Sequence, residues 1–293
     1  MSRIKAKIIA EIGCSHGGSI ERAHKLISLA AQSGADIIKF QKRYPPECVP
    51  EKWQDKQHPN NKFSYGTTYL NHRWNLELNK KEHALLKAYC ETLGTIYSTS
   101  VWDLRSAKEI IDLEPKIIKI PSALNTSKEI IDFLFMNHKG EIHISLGMTN
   151  RKEKKEILDY LANKCRNIDN YEKIVIYICT SAYPVPAEKL YLLELNDLSY
   201  WLEGIKKQWQ KGFSDHGCFQ EVDIAAYALG ANYIERHFID DKNFRHTDAL
   251  SSITPKEMLE LRKKLDIVYM SLQSKPISID DIEIQTREKL RPD

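Results

Sequence analysis

The fold class this sequence predicts is α/β, a single (β/α)8 TIM barrel, and three observations carry it. Short β-branched runs alternate with segments of helical spacing eight times along the chain, the pattern of βαβ units and a parallel sheet. Runs such as Ile117–Ile118 and Ile174–Val175–Ile176 are apolar without interruption, as in strands buried on both faces. A length of 293 residues accommodates the roughly 250 that a closed barrel needs.

The first strand is expected over 6–13 and is followed by a helix over 21–32, which Ser33–Gly34 closes with the left-handed cap that glycine favours. A second strand, 36–42, leads into 43–79, a stretch without clear periodicity, rich in Pro, Asn, Lys and aromatic residues. A connection of that length inside a barrel reads as a lid or binding loop on the strand C-terminal side. The rhythm then resumes: helix 81–93 closed by Gly94, strand 95–101, helix 104–113, strand 116–122, helix 128–137, strand 141–148 and helix 152–165. Strands over 173–180, 208–216 and 232–239, with a helix over 220–229, complete the eight. A last helix over 255–271 ends the barrel domain, 1–272, and a polar tail, 273–293, is expected to run over the surface.

The composition excludes several function classes. With 43 basic and 40 acidic residues the net charge is +3, which calls for no nucleic-acid partner. The basic run Arg151–Lys155 is interleaved with acid and reads as a solvated helix face. No stretch approaches a membrane span, and the N-terminal apolar run ends at Glu11, too soon for a signal peptide. Six cysteines lack C-x-x-C spacing, so free thiols in a reducing cytoplasm are expected.

In a barrel, polar residues at strand C-termini are the functional candidates. Lys39 and Lys119 lie within apolar strand runs, where a cation needs a counter-charge or an anionic ligand. One reading is buried ion pairing with Glu11 or Glu235; the other is an anionic substrate held by both lysines and the hydroxyls of Ser122, Ser145 and Ser214. His216 and His237 end adjacent strands, close enough to share a metal ion, with Glu11 or Asp248 adding oxygen and His16 as a third imidazole candidate. Gly17–Gly18 reads as a strand-to-helix turn rather than an anion cradle, and Cys14, Cys179 and Cys218 as packing residues.

At these strand ends the chain resembles the sialic acid synthase family, the phosphoenolpyruvate-dependent nonulosonate synthases. The resemblance runs in order through Ala10-Glu-Ile-Gly-Cys-Ser-His-Gly-Gly18, Gly34-Ala-Asp-Ile-Ile-Lys-Phe-Gln41, Ser98-Thr-Ser100 and Ile118-Lys-Ile-Pro-Ser122. It continues through Ser145-Leu-Gly-Met148, Cys179-Thr-Ser-Ala-Tyr-Pro-Val-Pro186, Gly212-Phe-Ser-Asp-His216 and Ile234-Glu-Arg-His-Phe238. It implies condensation of phosphoenolpyruvate with an N-acetylmannosamine-like aldose to a 2-keto-3-deoxy sugar acid, with release of phosphate. By matching position, Lys39, Thr99, Lys119, Ser122, Ser145, Tyr183 and Ser214 would hold phosphoenolpyruvate, and His216 and His237 a divalent ion. Mn²⁺ is the typical ion, with Mg²⁺ or Co²⁺ as alternatives. Glu11, Gln41 and Asp248 would face the sugar and the reacting centre, with Glu11 as acid/base. A homodimer is implied as well.

The departures from that family gather on the sugar side: Ser15, Leu146, Ser181 and Arg245-His-Thr-Asp248 stand where relatives commonly carry other residues. Relatives usually carry a C-terminal antifreeze-like domain beyond the point where this sequence stops, Asp293: either that domain was removed, or the 43–79 loop, with Arg43, Lys62, His72 and Arg73, replaces its capping role on the sugar side. The alternatives are a synthase of the eight-carbon Kdo type and a barrel that binds without catalysis.

Overall fold

Residues 4–167, 171–202 and 209–292 are described by the computed structural model. Eight parallel strands close on themselves in chain order: β1 (Lys7–Gly13), β2 (Ile37–Lys42), β3 (Ile96–Val101), β4 (Ile117–Ile120), β5 (Glu141–Ser145), β6 (Lys173–Cys179), β7 (Trp209–Asp215) and β8 (Tyr233–His237). The expected barrel is therefore formed, with strand ends one to three residues tighter than the sequence reading. The first residue expected in the seventh strand, Gln208, lies outside the described residues.

Alternation along each strand sorts the side chains onto two faces. The outward residues of β1, Ile8, Ala10 and Ile12, join Leu26, Ile27 and the other apolar helix faces in one continuous core. Inside the barrel a smaller plug of Ile9, Ile37, Ile117, Val175, Tyr177 and Tyr233 fills the lower half. The inward positions above that plug are polar and open at the strand C-termini.

Local chemistry starts and stops the helices that hold this arrangement. Ser19 accepts from the Arg22 amide ahead of helix Ile20–Gln32, and capping boxes Asn79/Glu82 and Thr254/Glu257 open helices Lys80–Thr92 and Pro255–Ser271. Gly34 and Gly94 take the positive φ expected of them at two helix ends. A helix at Glu194–Leu202 precedes β7, where the sequence reading placed none.

Two stretches expected to be irregular contain helices. Residues 43–79 hold one-turn helices at Pro45–Cys48 and Glu51–Gln54, a 3₁₀ turn at Asn61–Phe63 and a longer piece at Tyr69–Trp74. Each is too short to display a hydrophobic period, so none was visible in the sequence. In the tail, Asp281–Leu290 forms a helix capped by Asp280, with acids in its first turn and bases in its last. It buries no residue, and its stabilising features are local. Among the described residues no helix is long and apolar enough to cross a membrane, and none of the six cysteines is in a disulfide.

Candidate active site

Strand alternation turns polar residues of six strands into the upper part of the barrel. Glu11 pairs with Lys39 and with His237, Ser100 with Lys119, and Ser214 with Glu235. They line a cavity at the strand C-termini, together with Ser122, Ser145, Tyr183 and His216.

Both lysines are buried, and their counter-charges come from the two glutamates considered in the sequence. Lys39 pairs with Glu11, donates to Ser100 Oγ at 3.0 Å and lies 3.8 Å from Glu235 Oε1. Lys119 donates to the same Glu235 oxygen at 2.7 Å, and so does Ser214 Oγ at 3.0 Å. Burial pushes Glu235 up, but the two ammonium groups more than offset it and hold the carboxyl below its usual range. Burial dominates at Glu11, whose pKa is raised in spite of Lys39. At Lys119 burial lowers the pKa against the pull of Glu235. The other Glu235 oxygen is buried without a hydrogen-bond partner, so this polar pocket has unmet capacity for a ligand or water.

Thr99 is a correction to the expected anion set. It lies opposite Phe40 in the β2–β3 register, and Phe40 belongs to the outer core. A strand's two-residue period turns Thr99 away from the cavity and brings Ser100 inward.

The two imidazoles are brought together, with ring centroids 5.4 Å apart and Tyr183 packed against His216 at 4.3 Å. His216 Nδ1 donates to the Thr180 carbonyl at 2.7 Å, which leaves Nε2 as a free lone pair. Burial lowers the pKa of His216 to about 4 and lowers that of His237 as well, so both are neutral, the form that binds metal. His237 Nδ1 is buried without a hydrogen-bond partner. This pair fits a divalent ion that keeps positions for water and substrate. The expected third protein ligand does not join them: among the described residues no cluster of three or more His, Cys, Asp or Glu side chains is close enough to hold a metal. Asp248 Oδ2 lies 3.9 Å from His237 Nδ1, and Glu11 is engaged by Lys39 and Gln41. His16 stays in its turn, where Nδ1 accepts from the Gly18 amide at 3.1 Å, and Gly17 N donates to the Cys14 carbonyl. Those bonds occupy the turn's amides, so Gly17–Gly18 is a turn and not an anion cradle.

A second cavity gathers Gln41, Asp248 and Arg73, three of the residues expected on the sugar side. It shares Gln41, Trp102, Tyr183 and His237 with the first cavity. Arg73 sits on helix Tyr69–Trp74 and donates to Tyr69 OH at 2.8 Å. Arg43 lies over the Trp102 ring at 4.0 Å, hydrogen-bonds Gln41 and lies 3.7 Å from Glu77. His72 lines this cavity too, whereas Lys62 is exposed and does not. Tyr65 OH donates to the Arg245 carbonyl at 2.7 Å, tying the long connection to the segment after β8.

Residues 26–276 match the NeuB family, and an N,N'-diacetyllegionaminic acid synthase from Campylobacter jejuni is 33% identical over 254 residues, 87% of this chain and 73% of that protein. The chain belongs to the NeuB family. It is thus an enzyme of the nonulosonate, or sialic-acid-type, synthases. Other relatives in the same range include the N-acetylneuraminate-9-phosphate synthase of Homo sapiens, 28% identical over 97% of this chain and 76% of that one. The fold of this NeuB-family chain matches a crystal structure of an N-acetylneuraminic acid synthetase from Leptospira borgpetersenii. The TM-score is 0.80 at 24% identity, covering 99% and 93% of the two chains.

Sequence reasoning about this NeuB-family site missed Ser100 and Trp102, and saw Glu235 only as a counter-ion. The signal for Glu235 was present: it lies two residues before His237, so strand alternation puts both inside the barrel.

Proposed function

We propose that the chain condenses phosphoenolpyruvate with the open-chain aldehyde of an N-acetylmannosamine-like aldose, giving a 2-keto-3-deoxy sugar acid of the sialic acid type and inorganic phosphate. The observation that carries this reading is the pair of buried lysines, meeting seryl hydroxyls from three further strands beside two neutral imidazoles. Two cations and several hydroxyls suit a ligand with both a carboxylate and a phosphate. The shared wall between the two cavities suits a bond formed between an anionic donor and a polyhydroxy acceptor.

In this reading Lys39 and Lys119 hold the donor's carboxylate and phosphate, with Ser122, Ser145 and Ser214 orienting them and Ser100 in the place expected of Thr99. Their fixed charges offset the anion through the reaction. Gln41, Asp248 and Arg73 orient the acceptor. The enol π electrons form a bond from donor C3 to the aldehyde carbon, whose oxygen takes the proton held by Glu11 and leaves that side chain as a carboxylate. Water then adds to the electron-poor C2 while Glu11 removes its proton; the raised pKa of Glu11 suits that exchange. Collapse to the C2 ketone breaks the bond to the phosphate oxygen, and phosphate leaves. His216 and His237 would hold a divalent ion, Mn²⁺ in this proposal, which when bound supplies Lewis acidity for the aldehyde oxygen.

The test is to incubate the protein with phosphoenolpyruvate, Mn²⁺ and a panel of aldoses, measuring phosphate and the product's mass. A nine-carbon keto acid is expected with a hexosamine-type acceptor. An eight-carbon product made only from a pentose phosphate, or no phosphate release with any aldose, would overturn the reading. His216→Ala and chelation should each lower phosphate release at least a hundredfold, the scale of one lost catalytic group.

A further inference from the structure

Beneath the lysines the barrel interior carries a run of buried polar groups for which the proposed chemistry has no use. Glu141 and His143 on β5, Tyr177 on β6 and Tyr233 on β8 are all buried. The Glu141 carboxylate accepts from Lys173 Nζ at 3.0 Å, Tyr233 OH at 2.8 Å and His143 Nε2 at 3.1 Å. A carboxylate only accepts, so His143 carries its proton on Nε2, and burial keeps the ring neutral. Nδ1 is then an acceptor, and Tyr177 O–H donates to it at 2.9 Å.

The upper end of this chain of bonds is the Tyr177 ring. Its centroid lies 4.2 Å from Lys119 Nζ, within range of a cation–π contact that burial strengthens. The ring is held on both sides: its hydroxyl is anchored to His143, and it lies against β7 at Gly212, where a Cβ would collide with it. Tyr177 does not line the cavity, so it does not touch a ligand there. Without the ring, Lys119 would keep Glu235 as its charged acceptor at 2.7 Å and lose the face that supports it from below.

We infer that Tyr177 is a positioning residue for the anion site: its ring supports the Lys119 ammonium, and the His143–Glu141 pair locks that ring at the level where Lys119 meets the ligand. The inference rests on the proposed phosphoenolpyruvate reading. It adds a specific demand: the lower half of the barrel sets how well the upper half binds its anion. The charged and titratable groups facing Lys119 are Glu235 and His237 on β8, Lys39 on β2, Cys179 on β6, His143 on β5 and His216 just after β7. A change confined to Tyr177 leaves all of these in place.

Phosphoenolpyruvate binding to the full chain, measured by calorimetry from pH 6.5 to 9.5, tests the inference without an acceptor sugar. Tyr177→Leu removes the ring, and affinity should fall about tenfold near neutral pH, the scale of a buried cation–π contact. Because Lys119 loses support for its charge, the alkaline fall in affinity should move to lower pH by about one unit. Tyr177→Phe keeps the ring and the volume but frees the hydroxyl anchor, so a smaller loss, about threefold, is expected in the same direction. A merely structural role would weaken binding equally at every pH. Unchanged affinity in both variants, or a loss independent of pH, overturns the inference while leaving the functional reading intact. Should Tyr177→Leu fail to fold, the pH profile of Tyr177→Phe decides alone. If the unaltered chain binds no phosphoenolpyruvate, the functional reading falls and this inference falls with it.

Discussion

One oxygen of Glu235 receives Lys119, Ser214 and, more distantly, Lys39, while Lys39 also holds Glu11. Two ammonium groups therefore face two carboxyls, and the pocket is close to charge-balanced before an anion arrives. A ligand with a carboxylate and a phosphate upsets that balance, and Glu11, whose pKa burial already raises, is the group best placed to take up a proton. Calorimetric titration of phosphoenolpyruvate in buffers of different ionisation enthalpy should show net proton uptake near neutral pH. Glu11→Gln should remove it; uptake that persists in that variant would place the proton elsewhere. Much of this was legible in the sequence, because a lysine or glutamate inside an apolar strand run has few reasons to be there. The assignment of Thr99 was not, since a one-residue uncertainty in strand phase exchanges the inner and outer faces.

The element that closes the molecule is the join between the first helix and the segment after β8. Asp240 accepts from Arg22 Nη2 at 2.5 Å and from Lys25 Nζ at 2.9 Å, and the Arg22 guanidinium lies 3.5 Å from the Phe244 ring centroid. Burial acts to raise the Asp240 pKa, but the Lys25 and Arg22 contacts outweigh it and depress the carboxyl. A depressed carboxyl contributes stability above its ordinary value of about 3.9, and that stability is lost as pH falls through the folded-state value. Asp240→Asn should therefore cost about 1 kcal/mol at pH 7 in denaturant unfolding. The gap to the unaltered chain should close below about pH 4; a gap constant down to pH 3 would assign the effect to packing. The longer helices were readable from periodicity and from the glycines that close them, as at Gly34 and Gly94. The short helices of 43–79 were not, because four to six residues show neither a period nor a face.

At the scale of the whole molecule, the barrel and its helices share one buried core, and the last helix adds no buried residue to it. Helix Asp281–Leu290 buries nothing, and Ile277, Ile282 and Leu290 on or before it are exposed. Its residues are ordinary helix formers with well-placed terminal charges, so only local propensity announced it, and the sequence reading took it for a polar tail. Removing residues 273–293 should shift the melting temperature by less than about 2 °C and leave phosphate release unchanged. A larger drop would show that the segment has a partner in solution.

The ion-paired level of the barrel draws on β1, β2, β4, β7 and β8 at once, from positions 11 to 235 along the chain. An anion seated there is a keystone in the mason's sense, bearing on most of the staves together and on no single hairpin or helix. Its free energy of binding adds to the stability of the folded state as a whole, by RT ln(1 + [L]/Kd). Amide exchange should consequently slow across all eight strands in parallel when phosphoenolpyruvate is added, and thermal unfolding should move as a single transition. Protection confined to the strands nearest the ligand would mean that the ring can open stave by stave.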